Sequence, residues 1–393
     1  MSRAFCAGGN KDADWSALIP HTLKNHVIAF SVHISIILLN SSKNGFLSTI
    51  NYYVVSISLR KVVTMMQQPR LFTVLPEYVC TPDGMAIDID GNLILACPNF
   101  ADRSKPGCIL KIDERKNIKK WVDVPVLEET GHAFPMGIAF GPDGDIYICD
   151  NQGWPGDPEL VFKGRILRLR IKNDKVVKTT VVAYGMEHPN GIRIHRNHAY
   201  VTHSMLSKVK DPSGLMVSCV YRFGLDEENI EITNTLEDSH IITTFLTHNK
   251  DIQYGADGIE FDKAGNLYVG NFGDGAVHKI TFNDDGSVRE NRVWAQDPSQ
   301  LKSTDGMIID AEGNLYIADF CANAVARVST GGKVTRIAQS PDTDGLNGEL
   351  DQPGEPIIWK GKLILTCFDL VTGPQMVNTK HEMPATLSEL EPR

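Results

Sequence analysis

Apolar runs of a few residues, separated by polar turns that contain glycine, recur along the chain from about residue 70 onward. In DGIEFDKAGNLYVGN, which begins at Asp257, one run leads into the turn DKAGN and a second leaves it. That pattern predicts a β-hairpin. The phrase returns as DGMAIDIDGNLILAC from Asp83, MGIAFGPDGDIYICD from Met136, NGIRIHRNHAYVTHS from Asn190, DGMIIDAEGNLYIAD from Asp305 and EPIIWKGKLILTCFD from Glu355. Further strand-like runs lie between copies, among them AVHKITF (276–282) and AVARVST (324–330), so each unit carries four strands. Four-stranded units at a period of about fifty residues predict a propeller, and six copies predict an all-β, six-bladed one.

The step from Asn190 to Asp257 is longer than the others and contains KVKDPSG (208–214), which reads as a surface insertion. After the sixth hairpin, LVTGPQMVNTKHEMPATLSELEPR reads as loop, leaving the last blade without an outer strand. RLFTVLP (70–76) is the expected donor, because an N-terminal strand placed there closes the ring and covers an exposed edge. The propeller is therefore expected over 67–385, with 386–393 as a tail.

Residues 1–66 carry no copy of the phrase. VIAFSVHISIILL (27–39) is shorter than the roughly 18 to 20 apolar residues of a membrane span, and no small-residue cleavage motif follows it. With Met65 and Met66 standing just before the repeats, this segment reads as a leader or upstream extension outside the fold.

Composition narrows the partners. A formal net charge of -9 with interspersed basic residues argues against a phosphate-tracking surface, so no nucleic-acid partner is expected. The basic cluster around Lys111–Lys120 reads as the solvated face of a hairpin. Eight cysteines are scattered singly, which points to a reduced, cytoplasmic protein, and Cys97, Cys149 and Cys367 sit in apolar runs as small buried hydrophobes.

The candidate chemistry lies where the phrase varies. Equivalent residues of six blades form a ring about the axis, and the positions that open the inner strands read Asp83, Met136, Asn190, Asp257, Asp305 and Glu355. Singly, Asp-Gly and Asn-Gly are turn pairs. As a ring, four carboxylates and an amide facing one axis require a cation or raised pKa values. Oxygen donors of this kind select a hard cation, Ca²⁺ before Mg²⁺ or Zn²⁺. Asp-x-Asp-Gly in DIDGN lacks the remaining ligands of an EF-hand and reads as a turn.

The chain resembles the SMP-30, gluconolactonase and luciferin-regenerating enzyme family, six-bladed propellers that hydrolyse lactones or related esters with a divalent metal. The resemblance spans about 70–370 and rests on HPNGIRI (188–194), GADGIEFD (255–262) and GEPIIW (354–359). It implies Asn190, Asp257 and Glu355 as metal ligands and Asp257 as general base. The family presents its glutamate in the first repeat, where this chain has Asp83. Here the glutamate is in the sixth, which neighbours the first around a closed ring, and Met136 stands where a further asparagine is expected. Asp83 and Asp305 are therefore alternative ligands.

The implied reaction has the metal polarise the carbonyl while a carboxylate, Asp257, takes a proton from water. His132, His188 and His203 are candidates for substrate contact, and the partner is a small lactone or ester. Two alternatives remain: a phosphotriester or fluorophosphate hydrolase using the same metal site, and a non-enzymatic interaction module with a structural metal. The expected mouth loops are NFADRSKPG (99–107), NQGWPGDPELVFKG (151–164) and the 205–215 insertion.

Overall fold

The computed structural model describes residues 66–392 throughout and, before them, the backbone of residues 28–40 and 51–63. The chain divides into two units, Met1–Met65 and Met66–Arg393. In the first, Ile28–Asn40 pairs antiparallel with Asn51–Val63. Most of the presumed leader lies outside the described residues. Among the described residues no helix is long and apolar enough to cross a membrane.

The second unit is a six-bladed propeller of antiparallel sheets. Its inner strands are Met85–Ile87, Pro135–Phe140, Pro189–His195, Ala256–Phe261, Met307–Ile309 and Pro353–Trp359. Blade two gains a fifth strand, Ile230–Glu231, which comes from the long third repeat and pairs parallel to Lys175–Met186.

The repeated hairpin has a local cause. Asp262 Oδ1 accepts from the backbone N–H groups of Ala264 and Asn266 at 2.9 Å each, its Oδ2 accepts from Asn266 Nδ2, and Gly265 takes a φ of +83°. Asp88 with Asn92 and Gly91, and Asp310 with Asn314 and Gly313, repeat the arrangement. The aspartate thus supplies acceptors for a turn that only a residue tolerant of positive φ completes.

Apolar residues fill the wedges between blades. Leu93, Leu95, Leu110 and Ile112 of blade one pack with Ile357, Trp359 and Ile364 of blade six, and Trp359 donates its indole N–H to Gly91 O at 2.9 Å. The seven described cysteines are buried and unpaired.

Closure occurs through Arg70–Val74, as the edge argument requires, but not directly onto the sixth hairpin. Thr386–Leu390 lies between Lys362–Cys367 and Arg70–Val74, pairing Leu363 with Leu390 and Thr386 with Val74. Residues 386–390 are therefore a blade strand rather than a tail, and the expected boundary at 385 is corrected. Two of its inward positions are polar, which hides the strand pattern. Ser388 is fully buried but donates to Glu349 O at 2.9 Å, so its hydroxyl is satisfied.

Candidate active site

The inner strands of blades two, three and four share a register irregularity at their first residues. Pairing skips from Pro135 to Ile138, from Pro189 to Ile192 and from Ala256 to Ile259. The two skipped residues are the variable one and the glycine after it. Those glycines are where neighbouring blades meet: a Cβ on Gly84 would lie 2.2 Å from Met136 O, on Gly137 2.3 Å from Asn190 O, and on Gly258 2.2 Å from Asp305 O. No side chain fits against a backbone carbonyl at that range. Each ring residue is thereby fixed against the next blade.

The same register corrects the sixth copy. Pairing skips from Pro353 to Pro356, so Gly354 occupies the ring position and Glu355 the position of the glycines. The ring is Asp83, Met136, Asn190, Asp257, Asp305 and Gly354, and Glu355 reaches the channel from one residue further along its strand. There Glu355 Oε1 accepts from Arg193 Nη2 at 2.9 Å, while Arg193 Nε donates to Glu260 at 3.0 Å and Nη2 also donates to Met307 O at 3.1 Å.

A cavity of about 450 Å³ opens on one side of the ring. Asp83, Asn190, Asp257 and Asp305 border both this cavity and the narrow channel space that contains Arg193 and Glu355. Glu355 does not line the larger cavity. The walls are aromatic: Phe100 stacks on Trp154 at 4.4 Å and on Phe134 at 4.9 Å, and Phe368 meets Trp154 edge-on. Tyr254, Phe272 and Phe320 complete them. Phe100, Arg103 and Trp154 come from two of the expected mouth loops, but residues 205–215 do not line the cavity. Their place is taken by Asp251–Tyr254 and by Leu370–Met376.

The ring is electrostatically strained. Asp83 is 6% and Asp257 5% exposed. Burial, reinforced by the charge of Glu355, pushes Asp83 up to about 8 against the Gly84 amide. Asp257 is raised by burial and by Asp83 and Glu355, with Asn190 opposing through a hydrogen bond. Asp305 is raised by burial, Asp257, Asp83 and Glu355. Glu355 rises to about 6 because burial outweighs Arg193. Burial also acts against the Arg193 charge, but Glu260 and Glu355 hold its pKa above the ordinary value, so that guanidinium is committed below the ring. Oxygen donors whose ionised forms repel one another are a chemically suitable set for a hard divalent cation. Among the described residues, three carboxylates with oxygens within 4.8 Å of one another occur at Asp351, Asp369 and Glu382, and not in the ring.

The three histidines fall outside both cavities. His203 is fully buried and its Nε2 accepts from the backbone N–H groups of Glu187 and His188 at 3.0 Å each; burial takes its pKa down to about 3. His188, lowered to about 4 by burial, contacts Asn151 and lies edge-on behind Tyr254. His132 stacks on Phe134, itself behind Phe100. Their expected substrate contact is not what the geometry shows.

Residues 279–345 match a family model described as the SMP-30/gluconolactonase/LRE-like region. The chain carries an SMP-30/gluconolactonase/LRE-like region within a six-bladed propeller. Solved structures agree on the fold. A Xanthomonas campestris gluconolactonase is 16% identical, with 83% of this chain and 95% of that one covered at a TM-score of 0.51. Regucalcin, a calcium-binding protein from Agrobacterium tumefaciens, is 14% identical, with 83% and 93% covered at 0.54. A luciferin-regenerating enzyme is 13% identical, with 82% and 94% covered at 0.53. Comparison with curated protein sequences found no match.

Sequence reasoning missed Arg193, the aromatic wall and the Asp351 group. Arg193 stands in NGIRI, within a motif already singled out, but its partners Glu260 and Glu355 come from other blades. The aromatic wall residues come from six different connections, and no local pattern links them.

Proposed function

We propose that the protein hydrolyses a lactone or related ester in the aromatic cavity, with one divalent cation, Ca²⁺ first, held at the ring. The observation that carries this reading is the group of four oxygen-bearing side chains, Asp83, Asn190, Asp257 and Asp305, that border a substrate-sized cavity with their carboxylates repelling one another. Asn190, Asp257 and the flanking Asp83 and Asp305 would hold the cation, and Glu355, whose Oε1 accepts from Arg193, would add Oε2. A bound cation supplies polarisation of the carbonyl being attacked.

The chain's own residues do the rest. Asp257 must be ionised to accept a proton from water, and its raised pKa shows that the isolated ring disfavours that form. Asn190 holds one side of the carboxylate by a hydrogen bond and leaves the other for the water. The aromatic wall excludes bulk water and receives an apolar acyl or aryl group by stacking. Substrates with an apolar body are thereby favoured over polyhydroxylated lactones. The unpaired cysteines support a reducing, cytoplasmic location.

The test is a hydrolysis panel of aryl esters, apolar lactones, sugar lactones and phosphotriesters, run on chelator-treated protein with Ca²⁺, Mg²⁺ or Zn²⁺ added back. Faster turnover of apolar lactones or aryl esters, restored by a divalent cation, is expected. Preference for phosphotriesters would select the phosphotriesterase reading. Absence of turnover with every metal would select the interaction module.

A further inference from the structure

The tightest carboxylate group in the propeller lies away from the ring residues, at the base of the loop that walls the cavity. Asp351 precedes the inner strand of blade six, Asp369 follows its second strand, and Glu382 precedes its third. One oxygen from each lies within 4.8 Å of the others. Asp351 and Asp369 are both 2% exposed, and the Glu382 side chain 17%.

Carboxylates this close need either donors or a cation. Donors are scarce. Asp369 Oδ1 accepts from Asn378 Nδ2 at 3.1 Å and its Oδ2 from the Glu382 N–H at 2.6 Å, whereas Asp351 Oδ1 and Glu382 Oε2 are buried without a hydrogen-bond donor. A further oxygen is orphaned on Asn378, whose Nδ2 donates to Asp369 Oδ1. Asn378 is 1% exposed and its Oδ1 has no partner. Rotating that amide does not cure the fault: its NH₂ faces two acceptors, Asp369 Oδ1 and Gln352 Oε1, and the oxygen would then oppose both. Two cationic side chains come near. Lys380 holds Glu382 Oε1 in an ion pair, its side chain otherwise 68% exposed, and His381 directs Nδ1 to Asp369 O at 2.6 Å and Oδ2 at 3.2 Å. Neither supplies a donor to Asp351.

We infer that Asp351, Asp369, Glu382 and Asn378 form a second, structural site for a divalent cation of the calcium type. All four donors are oxygens, as a hard cation requires, and Asp351 and the Asn378 oxygen have no other use. The cation joins three points of blade six, and the chain between Asp369 and Glu382 contains Leu370–Met376, one wall of the cavity. It therefore pins that wall to the propeller. Gln352 works alongside it, its Oε1 accepting from Leu370 N–H at 2.6 Å. The site is independent of the proposed reaction, since none of its residues borders the ring.

The experiment compares the full chain with Asp351→Asn and Glu382→Gln after chelator treatment. Calcium stoichiometry by equilibrium dialysis should fall by one equivalent in Asp351→Asn relative to wild type. Calcium at about a hundred times its Kd should raise the wild-type melting temperature by roughly 2 to 5 °C more than that of the variant, and should slow proteolysis within residues 370–380 of the wild type only. Should Asp351→Asn not fold, the partly exposed Glu382→Gln carries the same test with at least tenfold weaker binding at this site. Equal stoichiometry and equal calcium protection in wild type and variants would overturn the inference. So would a wild type that binds no calcium at all, with Asp351 then protonated.

Discussion

Two acidic groups in this propeller face the same electrostatic problem and differ in what surrounds them. The ring carboxylates, Asp83, Asp257 and Asp305, come from three different blades and open onto a cavity large enough for a substrate. Asp351, Asp369 and Glu382 each place one oxygen within 4.8 Å of the others and border neither cavity. Burial raises Asp83 and Asp351 alike, each to about 8, with neighbouring carboxylates adding to the effect. The pKa perturbation therefore does not separate a reactive site from a structural one. Access does: an open set of oxygen donors leaves room for a substrate atom, and a closed set does not.

The sharpest way to test the contrast is Asp257→Asn. On the proposed mechanism it keeps an oxygen but removes the proton acceptor, so kcat should fall by roughly 10²- to 10⁴-fold with little change in melting temperature. Asp305→Asn, one blade on, should cost less; equal losses would assign the effect to the shared field of the ring, and full activity in Asp257→Asn would exclude it as the base.

A second comparison uses pH on metal-free protein. Asp83 and Asp351 each rise from 3.8 to about 8 on folding, so the folded state binds more protons than the unfolded one between those values. Stability contributed by these groups is complete below about 4 and is lost as pH climbs towards 8. Melting temperatures followed from pH 5 to 8 should fall without calcium and flatten with it. Asp351→Asn should remove part of the slope, and an unchanged slope would show that the cluster does not titrate in this window.

Gly258→Ala probes the frame rather than the charges. Its Cβ would stand 2.2 Å from Asp305 O, so blades four and five must separate; a loss of roughly 1 to 3 kcal/mol or more in denaturant unfolding is expected. Calcium binding at Asp351 should survive it. The smallest effect is expected from removing residues 1–65: a chain beginning at Met66 should retain the melting temperature within about 2 °C, roughly the shift of a 1 kcal/mol change in a domain of this size, and the same calcium stoichiometry. A larger drop would show that the N-terminal unit supports the propeller.

Much of the architecture was legible because its determinants are local. The Asp-x-x-Gly-Asn turns of three copies carry their own acceptors and their own positive-φ residue, so those hairpins announce themselves within fifteen residues, and three further copies of the phrase aligned on them give the blade number. The closing strand at Arg70–Val74 could be inferred because an uncovered edge is a generic liability. Thr386–Leu390 could not, since its buried Ser388 is matched by Glu349 O, a partner distant in sequence. The ring residues Asp83, Asn190, Asp257 and Asp305 were readable from the repeat, and their arrangement round one axis followed from symmetry.

What symmetry could not supply was the exception. Glu355 aligns with the ring by its chemistry, but strand pairing puts Gly354 there and sends Glu355 to Arg193. A shift of one residue is invisible in a phrase that already varies at that point, and register is decided by which backbone groups meet across the strand. The aromatic cavity and the group of Asp351, Asp369 and Glu382 belong to the same class. Their members are joined only by closure of the ring and by the return of a loop, so their distances, burial and missing partners exist in the folded chain alone. The repeated phrase by itself determined the propeller and the oxygen-rich ring; tertiary packing decided which carboxylates are open, which are enclosed, and which are held by an arginine, because each depends on contacts between residues that share no local pattern.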